Sequence, residues 1–206
     1  MDANLIRSQL ADALPRCVWP GRDGAGPHLM RRVTPPNEVR VIFECHPTVL
    51  CAGTAVFNSK SMKSGLKDYV VVFADVAGST RLYETAGDQA AKVLIVDLQS
   101  EIAGITTAAG GFVQGVVGDE VLSLFDDVAT ALSSTFAMQE TTDQFSARRG
   151  TPMSVRIGLH HGPTIVEQGR VFGDTVNTAA RMAAIAQGGQ IIASEDVVKR
   201  LTDPFK

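Results

Sequence analysis

The chain has 206 residues, 45% apolar and 20% charged, enough to bury a core in one domain plus an extension. Its net charge of −3 hides an asymmetry: residues 1–68 carry nine Lys/Arg against six Asp/Glu, and 69–206 carry ten against sixteen. That acidic segment argues against a nucleic-acid partner, and the absence of an apolar run near ~20 residues argues against a membrane-spanning one.

The first 68 residues hold six of the nine prolines, with Gly21-Arg-Asp-Gly-Ala-Gly-Pro27 and Pro35-Pro36 breaking any helical period. They predict an irregular or partly disordered extension over 1–68, in which Asn4–Leu14 could form a short helix and Arg40–Glu44 a short strand. Cys17, Cys45 and Cys51 are an odd, sparse set, and the N-terminus lacks the basic end and apolar stretch of a secretory signal. Both point to a reducing, cytoplasmic setting. Cys45-His46 with Cys51 has no regularly spaced fourth ligand for zinc.

From Tyr69 onward a regular pattern predicts one domain over 69–206. Val70–Phe73 reads as a buried strand, and Thr80–Thr106 as a helix with Ala90, Leu94, Leu98 and Ile105 on its apolar side. Phe112–Val117 and Val121–Phe125 form a hairpin about Gly118-Asp119-Glu120, followed by a helix over 126–145. Met153–His160 is a strand, and Gly162-Pro163 begins a turn. Asp174–Gln187 is a helix stopped by Gly188-Gly189, Gln190–Ala193 is a strand, and Ser194 caps a last short helix. The fold class is α+β, with helices packed on a mainly antiparallel or mixed sheet.

Asp75 and Asp119 each end an apolar, β-branched run beside glycines that let a ligand approach the backbone. Carboxylates from separate strands converging on one point suit two-metal chemistry, although Asp75 alone reads equally well as a turn or cap residue. Ala77-Gly78-Ser79-Thr80 opens a helix, and its backbone N–H groups can cradle phosphate. Asn177 and Arg181 are i and i+4 on one helix face, with Val176, Ala180 and Ala184 on the adjoining packing face. Taken singly, Asn177 is a second cap and Arg181 a solvated residue. His160 and His161 read as structural or solvated, and Met138, Met153 and Met182 as core.

Phe73-Ala-Asp75-Val-Ala-Gly-Ser79, Gly118-Asp119-Glu-Val-Leu-Ser-Leu-Phe125, Val155-Arg-Ile-Gly-Leu-His-His-Gly162 and Gly173-Asp-Thr-Val-Asn177-Thr-Ala-Ala-Arg181 resemble, in that order, the class III nucleotidyl cyclase catalytic domain. The resemblance implies a ferredoxin-like, palm-like fold that converts a nucleoside triphosphate to a 3′,5′-cyclic nucleotide and pyrophosphate, with ATP favoured by family prevalence. It implies two Mg²⁺ or Mn²⁺ ions on Asp75 and Asp119, a ribose-orienting Asn177, a transition-state Arg181 and a phosphate-reaching Arg156. It also implies a homodimer with two composite sites. Gly115 and Arg170 stand where the family reads the base, and neither reproduces the usual pair. The family's further strands after the last short helix, which complete the sheet edge, are expected to be lacking. Those departures support a second reading, a catalytically silent nucleotide-binding or dimerisation module that regulates a partner.

Overall fold

The computed structural model describes residues 28–30, 40–44, 64–168 and 170–202. Among these residues the elements run β1 (His28–Met30), β2 (Arg40–Glu44), β3 (Gly65–Ala77), α1 (Ser79–Ala86), α2 (Asp88–Ala108), β4 (Phe112–Val117) and β5 (Glu120–Phe125). They continue as α3 (Val128–Arg149), β6 (Ser154–Glu167), β7 (Arg170–Phe172), α4 (Asp174–Ile185), β8 (Gln190–Ser194) and α5 (Glu195–Thr202). One sheet in the order β1-β2-β8-β6-β3-β5-β4, with β7 against the end of β6, organises them. All pairings are antiparallel except β6 with β8. The β6-β3-β5-β4 order, with α1 and α2 joining β3 to β4 and α3 joining β5 to β6, is ferredoxin-like, as expected.

Both faces of β3 are covered, which explains its run of β-branched residues. Val70, Val72, Ala74 and Val76 pack with Leu98, Leu132 and Val197 under α2, α3 and α5, whereas Tyr69 and Val71 pack with Leu124 and Ala179 under α4. Each fully buried valine contributes about 1.5–3 kcal/mol. Met138, Met153 and Met182 are buried, as their positions suggested. On β6, Gly158 lets α4 lie directly on the sheet: a Cβ there would stand 2.1 Å from the Ala183 nitrogen and 2.5 Å from the Ala179 oxygen.

Several boundaries differ from the expectation. The helix read as Thr80–Thr106 is two helices, broken at Gly87, whose φ of 78° and ψ of 157° end α1 and start α2. Leu98 is buried and Leu94 and Ile105 pack against the core, as their spacing suggested, whereas Ala90 is exposed and Ala91, Ile95, Ile102 and Thr106 complete the buried side. Strand β6 runs through Gly162-Pro163 without turning, because Tyr69 and Asp68 on β3 continue to pair opposite them. Helix α4 ends at Ile185, two residues short of Gln187. Gly188 is then needed for contact, since a Cβ there would stand 2.3 Å from the Ser154 hydroxyl.

Strand β3 begins at Gly65, ahead of the expected boundary at 69. The extension expected to be irregular contributes two strands to the sheet. Arg40–Glu44 forms a strand, as its pattern suggested, and pairs with β8 from Arg40↔Ser194 to Glu44↔Gln190. The edge of β8 expected to lack its covering strands is therefore filled from the N-terminal side. Asn4–Leu14, the cysteines and His46 lie outside the described residues.

Candidate active site

The centre of the site is the C-terminal end of β3. Asp75 pairs through its Cα with Glu120 on β5 and with Arg156 on β6, so all three project from one face. Its side chain is 3% exposed. The Arg156 guanidinium donates from Nε to the Asp75 carboxylate. Asp119 occupies the tight turn between β4 and β5, where the Val76 N–H donates to its carbonyl at 3.3 Å and the Ser79 hydroxyl to its carboxylate at 2.5 Å. Asp75 and Asp119 thus come from adjoining β-elements, Asp119 directly preceding the Glu120 that pairs with Asp75. Burial pushes the Asp75 carboxyl up, the Arg156 hydrogen bond pulls it down, and the neighbouring Asp119 carboxylate pushes it up again. Glu120 is also pushed up, by burial first and then by Asp75 and Asp119.

Beside this pair the chain turns through Ala77 and Gly78 into α1. Gly78 takes φ 74° and ψ 25° as N-cap, and no side chain caps the helix or places an acid in its first turn. The first-turn N–H groups, including those of Ser79 and Thr80, therefore carry the partial positive charge of a helix start close to two carboxylates.

Two carboxylates on adjoining β-elements offer hard oxygen donors of the kind that a divalent cation takes. Among the described residues no group of three or more His, Cys, Asp and Glu forms a metal-holding cluster. Mg²⁺ commonly takes one or two carboxylates and completes its shell with water and substrate phosphates.

The other predicted residues lie apart from this centre. Asn177 and Arg181 are exposed on α4, and Arg181 donates to the Thr178 hydroxyl at 2.9 Å and approaches Asp174 at 3.5 Å. Among the described residues no hydrogen bond or ion pair joins them to Asp75 or Asp119. The fully buried positions of α4 are Thr175, Thr178, Ala179, Met182 and Ala183. Of the residues read as its packing face, Val176 is half-buried against the cluster of Tyr69, Val71 and Leu124, and Ala180 is half-buried, whereas Ala184 is exposed, which corrects that part of the reading. The reason is Gly158, which draws Ala179 and Ala183 onto β6.

A bulge at Gln114 shifts the β4–β5 register, pairing Gly115 with Leu122. Gly115 thereby shares the face of Asp75, and a Cβ on it would meet no atom within 4 Å. Arg170 is exposed at the start of β7. His160 bonds through Nδ1 to the Ser194 hydroxyl at 2.7 Å, a structural role, and His161 is half-buried.

One residue that sequence reasoning missed is Gln99. It is 5% exposed within the packed side of α2, and its Nε2 donates to the Gly118 carbonyl at 3.0 Å. A polar residue interrupting an apolar stripe was the available signal.

A ferredoxin-like sheet with paired carboxylates at adjoining strand ends and an open helix start beside them places the chain in the palm-like nucleotidyl cyclase class. The family described as the adenylate and guanylate cyclase catalytic domain matches residues 62–206, and the chain belongs to it. It is similar to an adenylate cyclase of Streptomyces coelicolor, 31% identical over 131 residues, covering 64% of this chain and 33% of that protein. An adenylate cyclase of Anabaena cylindrica is 30% identical over 154 residues, covering 65% and 31%. The chain thus spans about a third of the length of these relatives. Among solved structures, an adenylate/guanylate cyclase/hydrolase from Silicibacter pomeroyi is 31% identical with a TM-score of 0.56, over 69% of this chain and 83% of that one.

Proposed function

We propose that this chain is a nucleotidyl cyclase that closes a nucleoside triphosphate to its 3′,5′-cyclic nucleotide and pyrophosphate at composite sites in a homodimer. The observation that carries the proposal is the placing of Asp119, in the β4–β5 turn that Val76 and Ser79 hold, beside the Asp75 end of β3 and the uncapped start of α1. Asp75 and Asp119 are the ligands for Mg²⁺ or Mn²⁺, two ions per site, which when bound acidify the 3′-hydroxyl and neutralise phosphate charge. The N–H groups of Ala77, Gly78, Ser79 and Thr80 receive the triphosphate, and Arg156 at the site mouth reaches its terminal phosphates.

Asn177 orients the ribose, and Arg181 offers its guanidinium to the charge that builds on the α-phosphate. Both are exposed and unconnected to the carboxylates of their own chain, which supports their acting across a two-fold interface. Gly115 and Arg170 occupy the base-reading positions. ATP remains the favoured substrate through the names of the similar proteins, and a cytoplasmic setting is part of the proposal. No helix among the described residues is long and apolar enough to cross a membrane.

The test is incubation with each nucleoside triphosphate and Mn²⁺, with products identified by mass. A cyclic nucleotide with pyrophosphate is expected, reduced by roughly a hundredfold or more in Asp75→Ala and in Asp119→Ala. Mixing Asp75→Ala with Arg181→Ala chains is expected to restore about a quarter of wild-type activity. Random pairing makes half the dimers mixed, each with one intact site of two. Catalysis that survives loss of either aspartate defeats the metal assignment, and mixed dimers without recovery defeat the shared site. If no triphosphate is turned over but one binds, the silent regulatory module is the correct reading.

A further inference from the structure

The turn that presents Asp119 has an unusual support. Val117 and Glu120 are Cα partners, so Gly118 and Asp119 alone link β4 to β5. Gly118 has φ 62°, whereas Asp119 keeps a negative φ, so the strain of the turn falls on the glycine. Two-residue turns at the tip of a hairpin are usually solvated on their outer side. Here the Gly118 carbonyl instead accepts a hydrogen bond at 3.0 Å from the buried Gln99 side chain. Gln99 lies between Leu98 and Ile102 in the packed side of α2, where both neighbours are buried. An apolar residue would cost less there unless the amide has work to do, because burying an amide is unfavourable without its hydrogen bond.

Asp119 is therefore held from three directions. Gln99 holds the peptide before it, the Val76 N–H holds its own carbonyl, and Ser79 holds its carboxylate. The last two contacts come from the segment that carries Asp75 and the start of α1, so they set Asp119 relative to Asp75. The Gln99 contact comes from the helical layer and sets the turn relative to the core.

We propose that Gln99 is a positioning residue for the metal site: its amide locks the Gly118-Asp119 turn so that the Asp119 carboxylate is held beside Asp75. The proposal rests on the cyclase reading only for the identity of the metal; the locking of the turn stands apart from it. Residues that act one shell behind a metal ligand alter metal affinity by about 10–100-fold when removed.

The experiment compares wild type, Gln99→Met and Gln99→Glu, each alone and in an Asp119→Asn background. Methionine keeps the volume and loses the donor, and glutamate keeps the shape with an acceptor facing the carbonyl. Binding of Mn²⁺ alone is followed by the loss of its free EPR signal, and hydrogen exchange is measured at the 118–121 amides. Gln99→Met is expected to weaken Mn²⁺ binding about tenfold and to speed exchange at the turn. In the Asp119→Asn background the same substitution should leave residual Mn²⁺ binding unchanged, because its effect passes through that carboxylate. A general loss of stability would instead weaken binding in both backgrounds.

Unchanged Mn²⁺ affinity in Gln99→Met, with wild type binding the ion, overturns the positioning role. Unchanged exchange at 118–121 overturns the locking itself, whether or not Mn²⁺ binds. Should wild type not bind Mn²⁺ while the turn still loosens in Gln99→Met, the metal reading fails and the turn lock survives.

Discussion

Asp75 on β3 and Arg156 on β6 are opposed Cα partners, and the Arg156 guanidinium neutralises a carboxylate that is almost entirely buried. The guanidinium itself is 37% exposed, so the pair sits at a boundary between protein and solvent. Removing the cation leaves a buried charge with a carboxylate neighbour, whereas removing both partners leaves no charge to desolvate. Arg156→Met is expected to cost roughly 1–3 kcal/mol, at the low end of buried pairs because solvent screens the guanidinium. The double variant Asp75→Asn/Arg156→Met should lose less than the sum of the two single changes. Urea denaturation of the four proteins checks this, and additive losses would show that the pair is not coupled.

Close packing of α4 on β6 depends on one absent side chain. In Gly158→Ala the new methyl meets backbone atoms of Ala179, Met182 and Ala183, so α4 has to move as a unit. The expected loss is about 1–3 kcal/mol, the usual range for overpacking. Asn177 and Arg181 ride on α4, so with the roles proposed for them turnover should fall more steeply than stability. A thermal melt together with a cyclase assay separates the two effects; an unshifted melting temperature would contradict the close approach.

The segment Arg40–Glu44 covers the edge of β8 although it lies outside the residues the family model matches. Ile192, the partner of Ile42, is also buried with Met182 and Ala186 of α4, so the edge strand connects to the helix that carries Arg181. Deleting residues 1–45 should speed hydrogen exchange at those Ile191–Ser194 amides that face β2 by about tenfold or more, and increase self-association through the unpaired edge. Adding a synthetic peptide of residues 36–48 should reverse part of both. Equal protection with and without the segment would mean that the strand pairing does not form in solution.

His161 on β6 supplies a pH dependence. Burial and then Arg200 hold its imidazole below the ordinary 6.5, with Asp68 and Asp196 opposing and His160 adding to the effect. The unfolded chain therefore takes up a proton that the folded chain refuses. Stability is full above about pH 6.5 and falls as pH drops from there toward the lower folded value, where the loss levels off. Asp75, Glu120 and Asp143, whose carboxyls are raised chiefly by burial, act in the opposite direction, so the histidine has to be isolated by difference. His161→Gln should lose less stability than wild type between pH 7 and 5.5 in urea titrations. Parallel profiles would assign the pH dependence to other groups.

Much of the site was legible because its chemistry is written in short segments. A carboxylate closing a β-branched run is visible locally, as is a glycine-bounded hairpin, and both aspartates stand where those signals put them. Reading α4 went partly wrong for a non-local reason. Its packed face is chosen by Gly158 sixteen residues upstream, so Ala179 and Ala183 are buried where helical spacing alone favoured Ala180 and Ala184. Gln99 escaped notice because its partner is a backbone carbonyl on another element.

The amino-acid sequence by itself determined the alternation of strands and helices, the α+β class and the placing of Asp75 and Asp119 at strand ends. Those features follow from the side-chain periods of 2.0 and 3.6 and from turn chemistry among near neighbours. Only the tertiary structure decided that β2 covers β8, that Asp75 faces Arg156, and that Asn177 and Arg181 stand apart from the carboxylates of their own chain. Such pairings depend on which distant surfaces complement one another, and that is a property of the whole sheet and not of any single segment.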